Sequence, residues 1–336
     1  MPVEVLGWYN RGNAGDEFFR GSLRSLLGRD LSFVSEVGVV TQPCILGGGD
    51  VIKPAYLSQV SDGRPVYLIG VGVSYESEVD LLREVNVAGV IARSAEDQAD
   101  FVRNGVDAVL APDLAWLQFP TVSQMCMNAR EDLDPSEVCF LFADDISASS
   151  FLTDARELSH WEAYKWRMAE VMDHMRLFAN PATLPLSSSH GHYDQRTALD
   201  VASRMRNFWD CRNVEYVADL DELLVALSGF KAIVSMKLHG LILGILAGTP
   251  VVNIGASQKT HRLMRSVGLA EYSVDPLAVS PDGFREIVVR AVEEQSPGRL
   301  LDIGREQHNS WMRAIADERA SWLGDLRTLV AASSPR

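Results

Sequence analysis

Short apolar runs alternate with helix-period segments along almost the whole chain, and that order admits few folds. Apolar runs at residues 3–8, 31–37, 44–46, 66–70, 87–92 and 108–110 read as strands, with helical patterns between them, notably at 17–27 and 95–104. Strands separated by helical crossovers build a parallel, doubly wound sheet. A second alternating set follows. Its strands fall at 138–142, 182–186, 214–217, 232–235 and 251–254, and its helices at 161–178, 195–209, 220–227, 241–247 and 284–294. Between the two sets, residues 118–137 are polar and interrupted by Pro120 and Pro135, the composition of an interdomain connection.

The expected fold class is therefore α/β, with two Rossmann-like doubly wound domains facing a cleft, a GT-B-like architecture. The expected divisions are an N-terminal domain at 1–120, a connection at 121–137, a C-terminal domain at 138–299 and terminal helices at 300–336. Trp311 and Trp322 are the expected anchors of those helices. A length of 336 residues accommodates two domains of ordinary size. No sequence repeat relates the halves, so their similarity is topological.

Charge narrows the function. The formal net charge of -14 argues against a nucleic-acid partner, whose phosphates need a basic face. An anionic ligand would need a locally positive pocket set against that mean field. The four cysteines, Cys44, Cys126, Cys139 and Cys211, form no C-x-x-C pair, so neither a zinc site nor a disulfide framework is indicated. Met1-Pro2 leads directly into the first strand, leaving no room for a signal peptide, and no run approaches the ~20 apolar residues of a membrane span. A cytoplasmic enzyme is the expectation.

Chemistry-bearing residues gather where strands end. Met236-Lys237-Leu238-His239-Gly240 follows an apolar strand and precedes an apolar helix pattern. In an open α/β sheet that junction is the carboxyl end of a strand, where ligands bind, and the following helix N-terminus favours anions. The next strand end is followed by Lys259-Thr260-His261-Arg262, so two neighbouring strands each present a cation at one rim. A lone histidine is more often structural; the paired cations favour a role for His239 in chemistry.

The first half offers a different set. Asn10-Arg11-Gly12-Asn13-Ala14-Gly15-Asp16 follows the first strand, and its glycines and asparagines allow a tight turn with N–H groups turned to a ligand. A plain strand-to-helix turn is the competing explanation. Leu46-Gly47-Gly48-Gly49-Asp50 permits close approach of a ligand or of a neighbouring backbone, with Asp50 either at the crevice edge or capping a helix. Arg93 ends a strand ahead of Ser94-x-x-Asp97, which resembles a capping box, and its guanidinium suits carboxylate or phosphate. Asp113 ends another strand and is expected to brace the domain boundary. His190-Gly191-His192 lacks the further ligands of a metal site and reads as a loop.

In order, Asn13-Ala14-Gly15-Asp16, Leu46-Gly47-Gly48-Gly49-Asp50, Ile69-Gly70-Val71-Gly72, Arg93, Pro112-Asp113, Lys237-Leu238-His239-Gly240, Gly248-Thr249-Pro250 and Lys259 resemble the polysaccharide pyruvyl transferase family. The resemblance spans roughly residues 5–270. It implies transfer of the enolpyruvyl unit of phosphoenolpyruvate onto a saccharide, on a GT-B-like fold. Two departures stand out. Lys237 occupies a position where the family usually carries arginine, and Ser94 follows Arg93 where aspartate is frequent. Lysine keeps the charge but loses the planar fork.

On that resemblance His239 is the expected general acid, and Asp50 or Asp16 orients the acceptor hydroxyls or takes a proton. Lys237, Lys259, Arg93 and the helix N-terminus neutralise the donor, while Asn13, Gly48 and Gly49 complete the binding wall. Phosphoenolpyruvate and a saccharide or other hydroxyl compound are the implied partners, with no metal or cofactor. A lipid-linked acceptor would bring the protein close to a membrane. Acceptor identity and oligomeric state stay open. Two alternatives remain: a nucleotide-sugar glycosyltransferase of the same fold, for which Asp221-Glu222 could be offered as the ribose-binding acids, and a non-catalytic binding protein.

Overall fold

The alternation becomes two parallel sheets. The computed structural model describes residues 3–36, 43–60, 63–73, 77–130, 135–143, 155–189 and 192–333. The chain divides into one unit of Met1–Phe119 with Arg305–Arg336 and a second of Pro120–Gly304.

In the first unit, strands β1 (Val3–Leu6), β2 (Leu31–Val34), β3 (Cys44–Gly49), β4 (Val66–Val71), β5 (Val87–Ala92) and β6 (Val109–Leu110) form a six-stranded sheet. Their order is β2-β1-β3-β4-β5-β6, and every pairing is parallel. All six residues of β3 are buried, as expected of a central strand in a sheet covered on both faces. Helix Ala14–Leu27 covers one face with Phe18, Phe19, Leu23, Leu26 and Leu27. Each such side chain contributes about 1.5–3 kcal/mol when fully buried.

The final helix, Trp322–Ala332, returns to this unit. Trp322 stacks on Tyr67 with ring centroids 5.2 Å apart, and a side chain at Gly89 would collide with its indole. Trp311 is fully buried and its indole N–H donates to the Asp113 carbonyl at 3.0 Å. Both tryptophans expected to anchor the terminal helices therefore do so.

In the second unit, β7 (Glu137–Leu141), β8 (Asn180–Thr183), β11 (Arg212–Asn213), β12 (Ala232–Ser235) and β13 (Val251–Asn253) form a parallel sheet in the order β11-β8-β7-β12-β13. A separate antiparallel ribbon pairs β9 (Ser188–Ser189) with β10 (His192–Tyr193). Of His190-Gly191-His192, expected as a loop, His190 and Gly191 lie outside the described residues, while His192 opens β10. No helix among the described residues is long and apolar enough to cross a membrane.

Several expected elements differ. Most of the connection at 121–137 is the helix Phe119–Arg130; Pro120 sits in its first turn, where a missing N–H costs nothing. Arg130 ends that helix by donating to the Gly248 carbonyl at 2.8 Å and Thr249 Oγ1 at 3.1 Å. The strand expected at 214–217 lies earlier, at Arg212–Asn213. There the Thr183 hydroxyl donates to Asn213 Oδ1 at 2.8 Å, so a polar pair rather than the apolar run carries the edge. The strand expected at 182–186 is Asn180–Thr183, since Pro185 has no N–H with which to continue the ladder.

Both sheets have a place where successive connections diverge. The chain leaves β1 first toward β2 and then returns to the other side at β3. In the second unit it leaves β7 toward β8 and returns at β12. Ligands of doubly wound sheets bind outside the carboxyl ends of strands at such switch points.

Candidate functional site

At the β7/β12 switch point, Leu141 pairs with Ser235, and the Met236 N–H donates to the Leu141 carbonyl at 3.0 Å. The chain then turns sharply into the helix Leu238–Leu246, with Lys237 as its N-cap. Ser235 fixes the turn. Its hydroxyl accepts from the Lys237 N–H and donates to the Lys237 carbonyl, both at 2.9 Å. Gly240 permits the close seat: a Cβ there would lie 2.3 Å from Ser235 Oγ and 2.7 Å from Leu141 Cδ1.

The helix begins three residues before the expected 241, because Ser235 meets the Lys237 N–H and releases the chain into helical geometry immediately. His239 therefore belongs to the first turn. It is the one residue of that nine-residue helix that is not buried.

The neighbouring strand joins the same rim. The Ile254 N–H donates to the Ser235 carbonyl at 3.0 Å, and Gly255 sits so close to the Met236 carbonyl that a Cβ would approach it to 2.5 Å. After this contact Ser257 opens the helix Gln258–Ser266, with Lys259 exposed in its first turn. Lys237, His239 and Lys259 thus share one edge of one sheet, as the strand order expected.

Lys237 has a partner that the sequence did not announce. Its ammonium lies 2.6 Å from Asp194 Oδ2, with the aspartate side chain 2% exposed. No cue separates Asp194 from other helix-start acids, because the pairing joins residues 43 positions apart.

The first unit's switch point has another character. Asn13 caps helix Ala14–Leu27: its Oδ1 accepts from the Gly15 N–H at 3.3 Å and its carbonyl from the Glu17 N–H at 2.9 Å. Gly48 and Gly49 have φ of 73° and 74°, a region open chiefly to glycine. A Cβ at Gly48 would strike the Phe19 ring, and one at Gly49 would sit 3.4 Å from Asp16 Oδ1. The glycine run serves close packing of helix on strand and leaves the Asp16 carboxylate facing the Gly49 backbone. Across the switch, the buried Tyr9 hydroxyl donates to the Gly47 carbonyl. Burial, followed by the fields of Asp16 and Glu17, pushes that hydroxyl well above its ordinary pKa.

Asp50 and Arg93, expected as an acceptor-side base and a donor ligand, are bound to each other. Arg93 Nη2 donates to Asp50 Oδ1, the side chains being 10% and 20% exposed. Asp97 Oδ2 lies 3.9 Å from Arg93 Nε, and the guanidinium lies directly over Gly72, where no Cβ could fit. Burial opposes the arginine's charge, but Asp50, Asp113 and Asp97 together outweigh it and raise its pKa. The physical reason is ordinary: a guanidinium taken out of water must be paired.

The Ser94 cap is present, its Oγ accepting from the Asp97 N–H at 3.1 Å. The Asp97 carboxylate, however, reaches the Val73 N–H at 3.0 Å on a neighbouring strand end. Asp221 and Glu222 lie in the first turn of the helix Leu220–Ser228, and both donate main-chain N–H groups to Asp219 Oδ1.

Comparison with known proteins fits these features. The polysaccharide pyruvyl transferase family profile matches residues 13–258. No curated protein sequence matches the chain. Among solved structures, a UGT transferase from Siraitia grosvenorii in complex with UDP is 10% identical, with a TM-score of 0.50 over 98% of this chain and 99% of that one. UDP-GlcNAc 2-epimerase from Methanocaldococcus jannaschii is 11% identical, with a TM-score of 0.50 over 87% and 92%. HepE from Anabaena, in complex with UDP and glucose, is 10% identical, with a TM-score of 0.50 over 99% of each chain. At such identities the likeness is one of fold, and it agrees with two parallel-sheet α/β domains of the GT-B-like class.

Proposed function

The chain belongs to the polysaccharide pyruvyl transferase family, and from that premise we propose that it moves the enolpyruvyl unit of phosphoenolpyruvate onto hydroxyls of a saccharide acceptor. The product is a pyruvate ketal, and inorganic phosphate is released. The observation that carries the proposal is the cationic rim of the second unit, where Lys237 and His239 open a helix at the β7/β12 switch point and Lys259 opens the helix after the neighbouring strand β13.

Phosphoenolpyruvate brings a phosphate and a carboxylate. Two ammonium groups and the first-turn N–H groups of the helix offset that charge. His239, in its protonated form, gives a proton to the methylene carbon of the donor, and the neighbouring carbon becomes electrophilic. An acceptor hydroxyl attacks there and loses its proton to a carboxylate. The phosphate then leaves with its bonding electrons, and a second hydroxyl attacks the same carbon to close the ketal, its proton passing to the departing phosphate. Asp50 or Asp16 is the carboxylate proposed to orient the acceptor hydroxyls or to take the proton; Asp50 is bound to Arg93. Arg93 acts through Asp50. A lipid-linked saccharide would place this chemistry beside a membrane.

The test is His239→Ala, with phosphate release from phosphoenolpyruvate followed in the presence of saccharide acceptors. Turnover equal to the native protein's would remove His239 from the mechanism. Phosphoenolpyruvate should also raise the melting temperature, and a nucleotide sugar should not. The reverse pattern would favour glycosyl transfer, a reading that the first-turn positions of Asp221 and Glu222 do not support.

A further inference from the structure

Lysine is a poor anchor on its own. Its ammonium rides on a four-carbon stem with about 2 kcal/mol of rotamer entropy, so a lysine that must meet a ligand in one place needs something to hold it. At the β7/β12 rim that something is visible. Asp194 Oδ2 accepts from Lys237 Nζ at 2.6 Å and also from the Leu186 N–H at 3.1 Å. The Asp194 N–H in turn donates to the Ser187 carbonyl at 3.2 Å. One carboxylate oxygen is thus held by a backbone N–H and meets the lysine.

We infer that Asp194 is the positioning residue for Lys237, setting where its ammonium meets the anionic donor. The inference rests on the donor proposed above. An ammonium has three donors, and the bond to Asp194 uses one. The other two point away from the carboxylate, and with the lysine side chain 20% exposed they are open to a ligand at the strand end. The pairing gives up some net attraction, since the carboxylate cancels part of the lysine's charge, in exchange for placement. Asp194 opens the helix Asp194–Ser203 directly after β10, so the same carboxylate ties the base of the β9–β10 ribbon to the rim.

A double-mutant cycle decides it. Phosphoenolpyruvate affinity is measured calorimetrically for the native protein, Asp194→Asn, Lys237→Met and the double variant. Each single change should weaken binding roughly tenfold, and the double should be no weaker than Lys237→Met alone, because both act through one ammonium. Multiplying effects, or an Asp194→Asn protein that binds as the native one does, would overturn the inference. Should Asp194→Asn fail to melt cooperatively, Asp194→Glu takes its place. It should weaken binding by at least about threefold where Lys237 is present and not at all in the Lys237→Met background; an effect that survives in that background would be structural. A native protein that binds no phosphoenolpyruvate removes the donor reading and this inference with it. Native binding with an indifferent Asp194 variant removes the inference alone.

Discussion

At the β1/β3 switch point of the first unit the side chains are carboxylates, Asp16 facing the Gly49 backbone and Asp50 closed onto Arg93. At the β7/β12 switch point of the second they are an ammonium and an imidazole, with a further ammonium on the next strand end. The sheets are alike in kind, parallel and doubly wound, with helices following the strands. What differs is the short stretch after each strand. The topology sets where a ligand can lie; the residues after the strand set the sign of charge it must bring. In a chain with a net charge of -14, the cations gathered at one rim are what the proposed anionic donor rests on.

The contrast breaks most readily through chemistry. His239→Ala should lower turnover by roughly 10²–10⁴-fold, with the melting temperature little changed. Asp16→Asn should instead raise the acceptor KM or lower turnover at saturating acceptor, and leave phosphoenolpyruvate affinity alone. Equal loss of donor affinity in both variants would erase the division between an acidic and a basic rim.

Stability offers the second handle. Arg93→Met strands Asp50, Asp97 and Asp113 around a lost cation and should cost about 3–5 kcal/mol in urea unfolding. A cost under about 1 kcal/mol would mean that those carboxylates are wetter than their surroundings suggest. On the basic side the equivalent weak point is steric. Gly240→Ala drives a methyl into Ser235 Oγ and Leu141, for an expected cost of about 1–3 kcal/mol. Native-like stability of that variant would show that the helix can lift from the strand end.

The smallest effect concerns thiols. Burial pushes Cys126 up to about 11 and Cys211 up to about 12, and Cys139 well above the ordinary thiol range. All three belong to the second unit, and Cys44 is buried in the first. None should react with a thiol reagent at pH 8 before urea exposes it. Labelling of Cys44 at a lower urea concentration than the other three would show that the units open separately.

The Lys237–His239 junction was legible because an apolar strand stops abruptly at Ser235 and a wholly apolar helix begins beyond it. Placing Lys259 on the same rim takes consecutive strands to be neighbours, which holds for β12 and β13 though not for β11 and β12. Helix Phe119–Arg130 was hidden because Pro120 looks like a breaker and is in fact at home in a first turn. The Asp194–Lys237 and Arg93–Asp50 pairs were hidden for another reason. A buried cation's partner is chosen by three-dimensional packing, and nothing in the spacing of Asp194 or Asp50 marks it. Asp97 misled in a smaller way, filling a capping-box position while spending its carboxylate on Val73.

The return of the final helices to the first unit has a consequence for synthesis. The Asp113 carbonyl waits for the Trp311 indole, and the surface at Gly89 and Tyr67 waits for Trp322. A ribosome delivers both tryptophans only after every residue of Pro120–Gly304 has emerged. Domains generally fold in the order in which they are made; here the half begun first is the half finished last. During translation its apolar flank stays uncovered for as long as the other half takes to be built, and that interval is when a chaperone would have the most to hold.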